Sequence, residues 1–241
     1  MEACPPKIRC DSMEINGLQK LTLLDYPGRT ACTVFLAGCN YRCPFCHNAA
    51  LVVGGDSVDL IPQGEFFAYL EKRRGVLEGV CITGGEPTLR PDLEEFAARI
   101  HSLGYLVKLD TNGTRPEVIK RMAEAGLVDR FAMDVKASRE EYPALCGAVP
   151  HLDAVEESID FLMSSGTEYE FRTTLVKGLH TPRGVEDLAR RLSGAKAYFL
   201  QQFRDSGSTI EPGLEAFDEE EMRSLLETVR KYVPAAQLRG L

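Results

Sequence analysis

Three cysteines fall within eight residues of one another, in the stretch Gly38-Cys39-Asn40-Tyr41-Arg42-Cys43-Pro44-Phe45-Cys46-His47-Asn48. The Cys-x3-Cys-x2-Cys spacers are too short for each thiolate to reach a separate site, so a Gly- and Pro-containing turn can wrap all of them round one metal centre. A structural zinc site would be closed by a fourth protein ligand. Its candidates are His47, whose adjacency to Cys46 makes joint ligation awkward, and Cys32, which lies in an apolar run where packing is the default role. A [4Fe–4S] cluster held by Cys39, Cys43 and Cys46 alone would instead leave one iron open to a chelating ligand from outside the chain.

Further residues able to do chemistry follow at intervals. Thr83-Gly84-Gly85-Glu86-Pro87 pairs glycines that let backbone approach a ligand with a carboxylate that can accept from an ammonium group. Taken alone, a Gly-Gly-x-Pro run is an ordinary turn. Lys108-Leu109-Asp110-Thr111-Asn112-Gly113 and Met133-Asp134-Val135-Lys136 each bring a carboxylate to the end of an apolar run, where the plainer roles are helix cap or turn residue. Arg172 sits among apolar neighbours in Phe171-Arg172-Thr173-Thr174 and calls for a carboxylate partner, from the protein or from a ligand.

Short apolar or β-branched runs at Thr30–Leu36, Gly79–Thr83, Leu106–Asp110, Arg130–Val135, Glu168–Leu175 and Ala197–Gln202 read as six strands. Between and after them, amphipathic stretches at 62–74, 91–103, 116–126, 151–165, 181–193 and 218–232 read as helices, with Pro116-Glu117 as a start signal and Gly104 and Gly126 as stops. Strands separated by helices imply right-handed crossovers and a parallel sheet. The fold class is therefore α/β, an incomplete (β/α)6 barrel, in which chemistry gathers in the loops after the strand C-termini. Residues 1–14, with Cys4 and Cys10, read as a loose leader; residues 15–241 read as one domain; 204–212 is the candidate mobile loop.

Across 241 residues, 44% hydrophobic content supports a full core, and a net charge of −8 argues against a phosphate-neutralising surface, hence no nucleic-acid partner. The short run Lys72-Arg73-Arg74 reads as a solvated helix face. No run approaches the roughly 20 apolar residues of a membrane helix, and no signal-peptide core is visible, so a cytoplasmic, thiol-rich protein is expected. Cys81 and Cys146 read as packing thiols.

The cysteine spacing, with Phe45 just before the last cysteine, resembles the radical S-adenosylmethionine superfamily. The resemblance implies that the amino and carboxylate groups of S-adenosylmethionine chelate the open iron, that Phe45 packs near the adenine, and that Gly84, Gly85 and Glu86 hold the methionine amino group. Asp110, Thr111, Asp134 and Lys136 resemble segments of pyruvate formate-lyase activase, which implies contributions to the S-adenosylmethionine site and a monovalent cation on Asp110, Thr111 and Asp134. By the same resemblance Arg172 meets the carboxylate or ribose, while Phe203 or Gln202 stands where that type carries a histidine.

Most of residues 15–205, including Leu24-Asp25-Tyr26-Pro27-Gly28, look like the activating proteins of anaerobic ribonucleoside-triphosphate reductase in their longer form. That implies reductive cleavage of S-adenosylmethionine to a 5′-deoxyadenosyl radical, hydrogen abstraction from a glycine of a glycyl-radical-enzyme partner, and flavodoxin or ferredoxin as electron donor. Two other readings stay open at this point: a radical enzyme acting on a small molecule, like 7-carboxy-7-deazaguanine synthase, and an iron–sulfur electron carrier without turnover.

Overall fold

The computed structural model describes residues 13–54, 60–147, 151–205 and 207–241. Strand β1 (Gly17–Thr22) runs antiparallel to β2 (Ala31–Leu36), and β2 begins a parallel series with β3 (Gly79–Gly84), β4 (Leu106–Thr111), β5 (Arg130–Asp134), β6 (Glu168–Lys177) and β7 (Tyr198–Gln202). These strands lie side by side in chain order, and β9 (Gln237–Arg239) adds in parallel beyond β7. A short β8 (Glu215–Ala216) pairs with the end of β6. Among the described strands β1 and β9 do not pair, so the sheet stays open as an incomplete barrel.

The crossovers are α2 (Gln63–Lys72), α3 (Leu93–Ser102), α4 (Pro116–Glu124), α6 (Leu152–Ser164), α7 (Pro182–Arg191) and α8 (Glu219–Arg230), with short helices α1 (Ala49–Val52) after the cysteine loop and α5 (Tyr142–Cys146) after β5. Their starts follow local chemistry. The Thr181 hydroxyl accepts from the Gly184 amide at 3.0 Å to cap α7, and Asp218 with Glu221 forms a reciprocal capping box on α8.

Strand alternation divides the sheet into two faces. Val80, Ile82, Val107, Leu109, Phe131 and Met133 are fully buried in the apolar core. Phe66 of α2 and Phe96 of α3 stack at 5.5 Å within it; each such ring contributes roughly 2 kcal/mol by leaving water. The other face carries charge at every second position: Lys108 and Asp110 on β4, Glu170 and Arg172 on β6. Charges on that face would be costly unless paired, and they are paired, Lys108 with Asp110 along β4, Arg172 and Glu170 each across strands.

Each of the six expected strands and six expected helices is present, within a few residues at the ends. The hairpin strand β1, the strands β8 and β9, and the short helices α1 and α5 add to them. Met13 is 1% exposed and Ile15 bridges to Ile61, so ordered packing starts inside the span expected as leader; Cys4 and Cys10 lie outside the described residues. Of the 204–212 stretch, expected to be mobile, residue 206 lies outside the described residues, and Glu211 is tied to the cysteine loop, its amide donating to the Pro44 carbonyl at 2.9 Å. Among the described residues no helix is long and apolar enough to cross a membrane.

Candidate active site

At the C-terminal ends of the parallel strands lies a cavity of about 370 Å3, within the range of roughly 300–1,000 Å3 typical of small-molecule sites. Cys39, Cys43, Cys46, Phe45, Gly84, Gly85, Glu86, Asp110, Thr111, Asp134, Lys136 and Arg172, the residues singled out in sequence, all line it. Asp25, His47, Asn48, Asn112, Thr174 and Gln201 complete much of the wall.

Backbone contacts between successive loops build the site. Gly85 and Glu86 donate their amides to the Leu36 and Gly38 carbonyls at 2.8 and 2.7 Å, which seats the glycine loop against the entrance to the cysteine loop. Gly84 adopts φ +129, and a Cβ on Gly85 would stand 2.0 Å from the Gly38 oxygen, so both positions need glycine. Asn48 closes the arrangement by donating to the Gly84 carbonyl at 2.9 Å. The side chain of Asn112, beyond its turn contacts to Thr114, donates to Asn40 at 2.8 Å and so ties the end of β4 to the cysteine loop.

Glu86 is buried and accepts from the Asn112 amide at 2.6 Å, the Thr111 hydroxyl at 2.8 Å, and the Thr88 hydroxyl and amide at 2.5 and 3.1 Å. Burial pushes its carboxyl above the usual range, and these donors pull partly back. One oxygen, Oε2, takes a single donor and has room for an ammonium group.

Across the cavity, Arg172 bridges two carboxylates, donating from Nε to Asp134 at 2.8 Å and from a terminal nitrogen to Asp110 at 3.1 Å. Lys136 donates to the other Asp134 oxygen at 3.0 Å, and the fully buried Lys108 ammonium pairs with Asp110. Burial works against ionisation of both carboxyls, yet Arg172 with Lys108 or Lys136 holds them below the ordinary range. Burial likewise opposes the charge on Lys136, and Asp134 keeps it protonated.

Arg172 thus finds its expected carboxylate partners within the protein. Asp110 and Asp134 form an ion network, not a cap. A monovalent cation on Asp110, Thr111 and Asp134 would have to share oxygens with Arg172, Lys108 and Lys136, and Thr111 directs its hydroxyl to Glu86. Phe203 is fully buried behind the wall and stacks on His47 at 5.5 Å, so the ring facing the cavity beside that strand end is His47.

The donor set fits an iron–sulfur cluster. Cys39, Cys43 and Cys46 line the cavity, whereas the fully buried Cys32, Cys81 and Cys146 do not. Burial raises the Cys39 thiol to about 11 and raises that of Cys46, whereas the Cys43 thiol is lowered, chiefly by Cys146 and, against its burial, by the Lys136 ammonium. The lining brings charges of both signs to the cysteine loop, Glu86 from just after β3, Lys136 from just after β5 and Arg172 from β6. A zwitterionic amino acid group fits that polarity, its ammonium towards Glu86 and its carboxylate towards Lys136 and Arg172.

Comparison with known proteins agrees. The radical SAM superfamily profile matches residues 33–192. A Methanocaldococcus jannaschii protein named as a glycyl-radical enzyme activating enzyme is 30% identical over 94% of this chain and 96% of its own length. A second protein of that organism with the same kind of name is 29% identical over 80% of this chain and 71% of its own. The fold also resembles a crystallised domain of pyruvate-formate lyase-activating enzyme from Bacteroides vulgatus, with TM-score 0.56 and 19% identity over 67% of this chain and 99% of that one. With its cysteine loop, glycine loop and open parallel sheet, the chain belongs to the radical SAM superfamily, enzymes that use a [4Fe–4S] cluster and S-adenosylmethionine, and it groups there with the glycyl-radical enzyme activating enzymes.

Proposed function

We propose that this protein is a single-cluster activating enzyme that takes a hydrogen from a glycine Cα of a partner, leaving a glycyl radical there. The observation that carries the reading is the cavity itself: among the described residues its lining carries three cysteines, Cys39, Cys43 and Cys46, together with Glu86, Lys136 and Arg172. When bound, the cluster and S-adenosylmethionine supply the electron and the 5′-deoxyadenosyl radical for that abstraction.

The chain's own residues bind and orient. In this reading Cys39, Cys43 and Cys46 ligate the cluster. Gly84, Gly85 and Glu86 receive the methionine ammonium. Lys136 and Arg172, locked in place by Asp110 and Asp134, face the carboxylate, and Phe45 lies against the adenine. Phe45 is 4% exposed and braced by His180, their rings 6.0 Å apart, which gives a firm apolar wall that excludes water. The open edge between β1 and β9 suits a macromolecular substrate, because an extended chain segment needs lateral access.

The resemblance over most of the chain supports anaerobic ribonucleoside-triphosphate reductase as the partner, and flavodoxin or ferredoxin as the donor. Mixing the reconstituted, reduced protein with S-adenosylmethionine and that reductase should give the doublet of a glycyl radical in electron paramagnetic resonance. Turnover of a small molecule without any partner, and no doublet with any glycyl-radical enzyme, would overturn the proposal in favour of small-molecule chemistry.

A further inference from the structure

Lys108 stands in β4 between Val107 and Leu109 and is fully buried, a position where an ammonium is costly unless it is paired. Its Nζ donates to Oδ1 of Asp110, two residues further along the strand, and stands 3.9 Å from the Cys81 sulfur on the neighbouring β3. The other Asp110 oxygen, Oδ2, accepts from Arg172 at 3.1 Å. Arg172 continues to Oδ1 of Asp134 at 2.8 Å, and Oδ2 of Asp134 accepts from Lys136 at 3.0 Å. Cation and carboxylate thus alternate in one ladder from the interior of the sheet to the cavity wall: Lys108, Asp110, Arg172, Asp134, Lys136.

The resemblance to pyruvate formate-lyase activase implies a monovalent cation on Asp110, Thr111 and Asp134, and the ladder does not fit one. Each of the four carboxylate oxygens already faces an ammonium or guanidinium nitrogen. The Thr111 hydroxyl donates to Glu86 at 2.8 Å and accepts from the Gly113 amide at 3.1 Å. Three cations against two carboxylates leave the ladder with one positive charge in excess. An alkali ion set among those oxygens would be repelled, whereas the carboxylate of a ligand would be attracted.

We infer that the Lys108 ammonium stands in for that cation: Lys108 is a positioning residue that fixes Asp110 and, through it, the Arg172 guanidinium at the cavity, so that S-adenosylmethionine binds without an alkali ion. The part concerning the ligand rests on the reading of the cavity as the S-adenosylmethionine site; the part concerning the ladder does not.

The test compares wild type, Lys108→Met and Lys108→Ala in the chlorides of potassium, sodium, ammonium and tetramethylammonium at one low ionic strength, which keeps screening equal. Two quantities are read: the denaturation midpoint of the cluster-free chain, and the affinity of the reconstituted protein for S-adenosylmethionine by equilibrium dialysis. Wild type should give one midpoint and one affinity in all four salts, a result that needs no variant to fold. Lys108→Met keeps the bulk of the side chain without its charge and should bind S-adenosylmethionine about tenfold more weakly in every salt, the effect of one lost charge-assisted hydrogen bond. Lys108→Ala opens a space beside Asp110. It should lose as much in tetramethylammonium, which is too large to enter, and regain both midpoint and affinity in potassium or ammonium.

A wild-type midpoint or affinity that rises in potassium over tetramethylammonium would overturn the inference, since an alkali ion would then belong to the site. Wild-type behaviour of Lys108→Met would overturn it too, as would a Lys108→Ala variant that no small cation restores. Wild-type protein that takes up iron yet binds no S-adenosylmethionine would overturn the reading of the cavity instead, and the midpoints of the cluster-free chain would still decide the role of Lys108.

Discussion

Gly85 lies against Gly38 so closely that a side chain on Gly85 would stand 2.0 Å from the Gly38 carbonyl oxygen, while the next amide, that of Glu86, donates to the same oxygen at 2.7 Å. The loop that offers three thiolates and the loop that offers Glu86 are therefore one backbone unit.

Gly85→Ala tests that unit. The new methyl meets backbone, which cannot rotate away, so the two loops must part at a cost of about 2 kcal/mol. We expect a lowered denaturation midpoint and weakened binding of S-adenosylmethionine by the reconstituted enzyme, measured by equilibrium dialysis. Wild-type affinity and stability would show that the contact is slack.

Arg172→Ala removes the bridge between Asp110 and Asp134 and leaves two largely buried carboxylates short of partners, for a loss of about 3 kcal/mol near neutral pH. Both carboxyls are depressed in the folded protein, so the stability they provide is present above the unfolded carboxylate range near about 4 and disappears as pH falls through their folded values. Denaturant unfolding should therefore show a wild-type to variant gap that narrows below that range. Arg172→Lys should recover only part of the loss, since an ammonium cannot reproduce the fork.

Cluster loading should release protons. Burial holds the Cys39 thiol at about 11 and raises Cys46 as well, so both enter ligation protonated at neutral pH and must give up their protons, about two per chain. An indicator dye in weakly buffered, anaerobic iron and sulfide should report that release after correction for a protein-free control. Iron uptake should become weaker as pH falls; uptake independent of pH would contradict thiolate ligation.

Much of this site was legible in the chain. The Cys39–Cys46 spacing and the Gly84–Glu86 run carry their chemistry in consecutive residues, and the alternation of apolar runs with helical stretches placed them at strand ends. Less visible was what depends on pairing across strands. Arg172 announced a need for a carboxylate, but its choice of Asp110 and Asp134 follows from strand register, with Asp134 directly opposite Arg172. A signal did exist: Lys108 with Asp110, Asp134 with Lys136 and Glu170 with Arg172 each put opposite charges two residues apart, on one face of a strand or its end. Strand β1 escaped because Gly17–Thr22 leaves Gln19, Lys20 and Leu21 exposed at the sheet edge and shows no clean alternation. That the Cys146 carbonyl takes the Arg42 amide at 2.7 Å was likewise hidden, because about a hundred residues separate them and only the fold joins them.

The central claim is that Cys39, Cys43 and Cys46 hold a cluster that cleaves S-adenosylmethionine, and it is tested most directly by measuring 5′-deoxyadenosine. Anaerobically reconstituted protein, with about four irons per chain, a strong reductant and S-adenosylmethionine, should form 5′-deoxyadenosine and methionine, and Cys43→Ala should form neither. Absence of 5′-deoxyadenosine from the fully loaded wild type, or full activity in Cys43→Ala, would contradict it.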